Sequence, residues 1–242
     1  MFMQPIIAGP VRKIILGVEK GRKAIDIGNF FEKKGESWCK NIVSARMDAW
    51  RAFRNAVNKY CKNAIISFDH FHLAQHFSKA IDKLRINETK KAEKENKNAY
   101  KGTRWLLLKN PKNLKKKQKE SLDNLLDLNQ NLYKSYLLRE EFREIFNGKT
   151  SDKRLEKLDN WIRKAKSIRI PEITEFTNKI IRWRPFVENA LKENSSNSFS
   201  EGLNNKIRVI QRMAYGYKDF EYLRLKIIQQ FNFRDLLSIY EI

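Results

Sequence analysis

Three carboxylates stand where this chain could do chemistry. Asp48 follows the run Ile42-Val43-Ser44-Ala45-Arg46-Met47, and Asp69 follows Ala64-Ile65-Ile66-Ser67-Phe68; each lies between a strand-type and a helix-type segment. Ligands of open α/β sheets gather beyond the carboxyl ends of strands, and hard oxygen donors there suit Mg2+ or Mn2+. Asp is also a favoured helix N-cap, so each residue has a purely local reading as well. Glu201 heads a stripe with Asn205, Arg208 and Arg212 at i, i+4, i+7 and i+11. A carboxylate in line with two guanidinium groups could hold a metal while its neighbours hold phosphates. The local alternative is a capping box, since Ser198 and Glu201 have its spacing, with the arginines as a solvated face. All three histidines fall in Asp69-His70-Phe71-His72-Leu73-Ala74-Gln75-His76. His72 and His76 have the i, i+4 spacing of zinc ligands. No HExxH pattern and no nearby Cys supports zinc, and His72 reads better as orienting Asp69 or a backbone carbonyl. Walker A, GxGxxG and GxSxG sequences are absent, which argues against kinase, dinucleotide-binding and α/β-hydrolase chemistry.

The elements that must position these residues can be read from the apolar pattern. Val11 to Val18 reads as a strand, Ala24 to Phe31 as a helix, Ile42 to Met47 as a second strand and Ala64 to Phe68 as a third. Between the last two, Trp50, Phe53, Val57 and Tyr60 recur on one helical face; after them, Leu73, Phe77, Ile81 and Leu84 do the same. This alternation predicts a parallel βαβ arrangement with buried strands. From about residue 86 to 194 strand signals vanish. The stretch Asn87 to Lys119 is Lys-rich, with a turn at Asn110-Pro111. Helical spacing then returns in Leu122, Leu125, Leu126 and Leu128, in Tyr133, Leu137 and Phe142, in Leu155, Leu158 and Ile162, and in Ile173, Phe176 and Ile180, punctuated by Gly148 and Pro171. After a polar loop at 194–198, a helix places Leu203, Ile207, Ile210 and Ala214 on its buried face and stops at Gly216; a last helix runs from Asp219 to about Phe231.

The chain has 242 residues, 50 basic and 28 acidic, for a formal net charge of +22. Charge of that size repels itself in a compact chain and is relieved by a polyanion, so nucleic acid is the expected partner. Hydrophobic residues make up 41% and aromatics 12%, enough for a core, which excludes a wholly disordered basic tail. No apolar run nears the roughly 20 residues of a membrane span. The start carries no basic region ahead of an apolar one, and the two cysteines, Cys39 and Cys61, form no CxxC pair and no disulfide framework. The expected location is the cytoplasm, with no membrane association.

Four separated motifs, in order, resemble the DDE transposases of bacterial insertion sequences, nearest the ISL-three family. They are Met47-Asp48-Ala49-Trp50; Phe68-Asp69-His70-Phe71-His72; Arg104-Trp105-Leu106-Leu107-Leu108-Lys109-Asn110-Pro111; and Glu201-Gly202-Leu203-Asn204-Asn205-Lys206-Ile207-Arg208, followed by Ala214-Tyr215-Gly216-Tyr217. The resemblance runs from about Val11 to Ile228. It implies an α/β, helix-rich fold: an RNase H-like core, incomplete at its N-terminus, over 1–85, an all-helical insertion over 86–194, and the last core helices with the catalytic Glu over 195–242. Asp48 would be the second catalytic carboxylate and Glu201 the last, together holding Mg2+ (or Mn2+). Asp69 and His72 would match a signature that supports the site. Asn205, Lys206, Arg208 and Arg212 would grip DNA, both transposon ends and target, with a second copy or a full-length transposase as protein partner. The family's first Asp, in a Gly-Ile-Asp-Glu-like context on an earlier strand, has no counterpart here; Asp26 is a poor substitute, and the zinc-ribbon and helix-turn-helix segments are missing too. The expectation is therefore an N-terminally truncated transposase that cleaves and transfers DNA strands by a two-metal mechanism. The alternative is a catalytically inactive, DNA-binding remnant, because removing one member of a unit that acts together removes almost all activity.

Overall fold

A computed structural model describes residues 5–9, 11, 13–92, 97–147, 150–193 and 198–240, with 198–201 and 233–240 described by their backbone alone. Gly148, the polar loop at 194–197 and the capping box of Ser198 and Glu201 lie outside the described side chains. The fold is helix-rich with two small sheets, and the chain divides into two compact units, 1–66 with 194–242, and 67–193.

The first unit opens on a hairpin. Strand β1 (Ile6–Gly9) pairs antiparallel with β2 (Ile14–Val18), from Ile6 opposite Val18 to Gly9 opposite Ile14. Val11, expected in the second of these strands, is instead 95% exposed in the connecting turn. Lys13 follows with φ 56, a left-handed conformation that ends any extended run before Ile14. Strand β1 went unpredicted because a four-residue apolar run carries neither alternation nor length. Helix α1 (Ala24–Lys34) buries Ile27, Phe30 and Phe31, and Phe30 lies so close over β2 that a Cβ on Gly17 would sit 2.5 Å from its ring. A short helix, α2 (Glu36–Lys40), and then β3 (Ser44–Met47), α3 (Arg51–Tyr60) and β4 (Ile65–Phe68) follow. The strand–helix–strand order is as expected, with β3 and β4 hydrogen-bonded to each other. The single sheet is not: among the described residues β1–β2 and β3–β4 are two separate two-stranded sheets.

The unit is completed from the far end of the chain by α11 (Ser198–Met213) and α12 (Phe220–Tyr240). Leu203, Ile207 and Ile210 of α11 and Leu223 and Ile227 of α12 share one apolar cluster with Ile15 and Val18 of β2. Asn232 clamps the same strand through its amide, accepting from Ile15 N at 2.8 Å and donating to Ile15 O at 2.9 Å. Ala214, assigned to the buried face, is exposed beyond the end of α11. Gly216, at φ 101, donates its N–H to Gln211 O (3.1 Å), a helix-terminating geometry that favours glycine.

The second unit is helical: α4 (His70–Lys91), α5 (Arg104–Leu108), α6 (Lys116–Leu128), α7 (Gln130–Phe146), α8 (Ser151–Ser167), α9 (Pro171–Arg182) and α10 (Arg184–Lys192), with 3-10 turns at Lys97–Tyr100 and Pro111–Asn113. The α4 face predicted from Leu73, Phe77, Ile81 and Leu84 is buried throughout. Phe77 stacks on Phe176 (4.5 Å between centroids), and both meet Phe142 and Trp161 edge-on. Trp161 keeps its indole N–H satisfied by Leu138 O at 2.8 Å. On α7 the predicted face holds at Phe142, which is buried, but Tyr133 and Leu137 are exposed and their neighbours Leu132 and Leu138 are buried instead. Leu128 is exposed as well. The buried Glu88 carboxylate accepts from Asn129 Nδ2 (2.7 Å), whose amide also donates to Tyr100 Oη (3.0 Å), tying α4 to the start of α7.

Candidate functional site

Asp48 lies immediately after β3, where the strand's carboxyl end opens toward α3. Its side chain keeps 24% of its accessibility, and its ion-pair partner is Arg22, with Nη2 3.9 Å from Oδ2. That separation is too long for a hydrogen bond. Arg22 stands after β2, so cation and carboxylate both project from loops that follow strands. Its guanidinium lies over the rings of Trp50 (5.1 Å) and Phe53 (5.9 Å), and Trp50 Nε1 donates to Arg22 O at 3.3 Å. The Arg22 loop is thus fastened to the start of α3 from both its backbone and its side chain. Asp48 does not cap that helix, whose N-cap residue is Trp50, without a side-chain bond. The capping role open to Asp48 is therefore not what the fold uses it for.

Asp69 is a cap. It is 8% exposed, and its Oδ1 accepts from Phe71 N at 2.9 Å at the head of α4. His72 is half-buried on the first turn, ring-edge to Phe71 (5.9 Å). His70 stacks on Phe146 and His76 meets Trp183, so these two rings belong to aromatic packing. Asp69 and His72 fall in the unit of 67–193, whereas Asp48 and α11 share the other unit.

Glu201 lies in the first turns of α11, its side chain outside the described residues. Downstream, Asn205, Arg208 and Arg212 are all exposed opposite the buried Leu203, Ile207 and Ile210. Arg208 Nη1 donates to Asn205 Oδ1 (3.2 Å), which aligns the stripe. Lys206 has a different engagement: its ammonium donates to Gln230 O (2.5 Å) and lies 4.5 Å over the Phe231 ring, joining α11 to α12.

Among the described residues no three His, Cys, Asp or Glu side chains are gathered as a metal centre. Asp48 fits a hard divalent cation by donor type and by its reach to solvent. Arg22, the ion-pair partner of Asp48, is the residue that sequence reading did not single out, although it too lies beyond the carboxyl end of a strand.

The transposase family of the DDE, ISL-three type matches residues 2–227 of this chain. The chain is 28% identical over 225 residues to the transposase for insertion sequence element IS1001 of Bordetella parapertussis, a match covering 92% of this chain and 55% of that protein. It is likewise 28% identical over 221 residues to the transposase for insertion sequence element IS1557 of Mycobacterium tuberculosis, covering 82% of this chain and 50% of that protein. The chain thus spans about half the length of the curated relatives it matches. No solved structure matches it.

Proposed function

The chain belongs to the DDE transposases of the ISL-three type, and from that premise we propose that it cleaves and joins DNA strands at the ends of an insertion sequence. The observation that carries this reading is Asp48: a solvent-reaching carboxylate beyond a strand end, not spent on capping, in the same compact unit as the helix that bears Glu201. In this reading 1–85 and 195–242 form an RNase H-like core, and 86–194 is an insertion within it. The protein works in the cytoplasm at the nucleoid, as a homo-oligomer or paired with a longer transposase. Among the described residues no helix is long and apolar enough to cross a membrane.

Asp48 and Glu201 would hold Mg2+ or Mn2+, which suits their oxygen donors. The chemistry supplied by the bound ions is activation of a water or 3′-hydroxyl and neutralisation of the leaving oxygen in an in-line displacement at phosphorus. Arg22 balances the Asp48 charge before the site is filled. Arg208 and Arg212, pointing away from the core, bind phosphates of the DNA backbone, and Lys206 keeps α11 docked on α12 so that the stripe is rigid. Asp69 and His72 serve in a supporting role within the helical unit, Asp69 by capping the head of α4.

The test is nicking of supercoiled plasmid carrying insertion-sequence ends, with Mg2+, by the chain and by Asp48→Asn. The expected loss is on the order of 10³-fold or more, as for a member of a catalytic unit, with DNA binding retained. A second reading, DNA binding without cleavage, is favoured by one observation: neither β1 nor β2 carries an acid, and burial of Glu19, the first acid beyond β2, raises its pKa and disfavours the charged form a metal needs. It holds if wild type and Asp48→Asn bind DNA equally and neither nicks it.

A further inference from the structure

The Lys-rich segment finds no use in the reading above. From Lys97 to Lys119 there are eight lysines and Arg104 and no acidic residue. Elsewhere in the helical unit the fold pairs several of its cations: Lys83 and Lys179 with Glu175 (3.4 and 2.8 Å), Lys91 with Glu88 (3.1 Å) and Lys164 with Glu141 (2.9 Å). Lys112, Lys115, Lys116, Lys117 and Lys119 are all exposed and have no acidic partner among the described residues.

Their placement also works against helix stability. Asn110 caps the 3-10 turn at Pro111–Asn113, which sets Lys112 just ahead of α6. Lys115 is the N-cap of α6, and Lys116, Lys117 and Lys119 occupy its first turn, which has no acidic residue. Cations at a helix N-terminus meet the positive end of the macrodipole, where acidic residues are favoured. Local electrostatics and solubility give no reason to crowd five ammonium groups into eight residues there. Duplex DNA does, because it carries one negative charge per about 1.7 Å of axis and yields counterions to each lysine that neutralises a phosphate.

We propose that the lysine-rich first turn of α6, together with the turn before it, is a phosphate-binding surface for duplex DNA. It lies in a different compact unit from Asp48 and from the α11 stripe. The proposal rests on the transposase reading for its choice of DNA as the polyanion. The surface recognises the backbone and not base sequence, so it adds affinity equally to transposon ends and to target.

The test compares two quadruple variants of the full chain, each four charges less basic. One removes unpartnered lysines (K112Q, K115Q, K116Q and K117Q). The other removes the ion-paired ones (K83Q, K91Q, K164Q and K179Q). Both are checked for native far-UV circular dichroism. Binding of a labelled duplex of arbitrary sequence is followed by fluorescence anisotropy between about 50 and 200 mM salt. The first variant is expected to bind at least about tenfold more weakly at low salt, with a log–log salt slope shallower by about 2 to 4, near 0.9 per lost phosphate contact. The second should stay within about threefold of wild type, since its lysines already have partners. Equal loss in both variants, or none in the first, overturns the proposal while leaving the transposase reading intact. Loss confined to an RNA duplex overturns DNA as the occupant. Absence of salt-dependent DNA binding by wild type overturns both readings, and absence of Asp48-dependent nicking alongside the expected slope change overturns only the catalytic one.

Discussion

Arg22 and Asp48 are 3.9 Å apart and partly open to solvent, so their attraction is set by water more than by protein. At that distance two unit charges in bulk water interact by about 1 kcal/mol. An arginine held this way competes with a metal ion for the carboxylate and also repels it. Arg22→Ala should therefore tighten Mg2+ binding at Asp48 several-fold in calorimetric titration while leaving cleavage no better, because the cation that balances the empty site is gone. Unchanged Mg2+ affinity would separate Arg22 from the site. Cys61 is the other residue whose surroundings dictate a measurable property. It is buried beside Cys39, and burial first, then its neighbour, pushes its thiol from an ordinary 9.0 up to about 12. The folded chain keeps this proton at pH values where the unfolded chain releases it. Its contribution to stability is complete below about pH 9 and is lost as pH rises toward 12. Since the thiolate is the nucleophile, iodoacetamide should label Cys61 at pH ~8 only in denaturant; rapid labelling of the native chain would contradict this burial.

At the scale of elements, the hairpin and α1 meet at a single close approach. A methyl group on Gly17 would enter the Phe30 ring at 2.5 Å, and Phe30 is itself buried against Phe31 and Trp38. Gly17→Ala should cost about 1–3 kcal/mol, as overpacking does, seen as a lower urea midpoint with an unchanged slope. The other elements were legible to the degree that their pattern was local. The α4 and α9 faces and the buried face of α11 follow from spacing alone, since period 3.6 survives any tertiary context. The phase of α7 did not, because Tyr133 and Leu137 offer as good a stripe as Leu132 and Leu138, and only packing against α4 and α8 decides between them. Strand β1 and the division into two small sheets were invisible for a related reason: strand pairing is a long-range choice that apolar runs do not encode. Of the site, Asp48 was legible by its place after a strand. Arg22 was obscured by the basic residues around it, Lys20 and Lys23.

For the molecule as a whole, 50 basic residues outnumber 28 acidic ones; the fold pairs some of these cations with acids and leaves others exposed, among them the lysines at the start of α6 and the arginines on the outer face of α11. The order in which the two units appear along the chain matters as much. Residues 1–66 and 194–242 build one unit and the contiguous 67–193 the other, and β2 receives its covering side chains Leu203, Ile207 and Leu223 and the clamp of Asn232 from the last part of the chain. A ribosome adding about 5–20 residues per second therefore delivers the hairpin on the order of ten seconds before the helices that shelter it. During that interval Ile15 and Val18 have no apolar cover from α11 and α12, while the helical unit, contiguous in sequence, already has every residue it needs. The hairpin is thus the segment of the nascent polypeptide left uncovered for longest, and its apolar face closes only when α11 and α12 emerge.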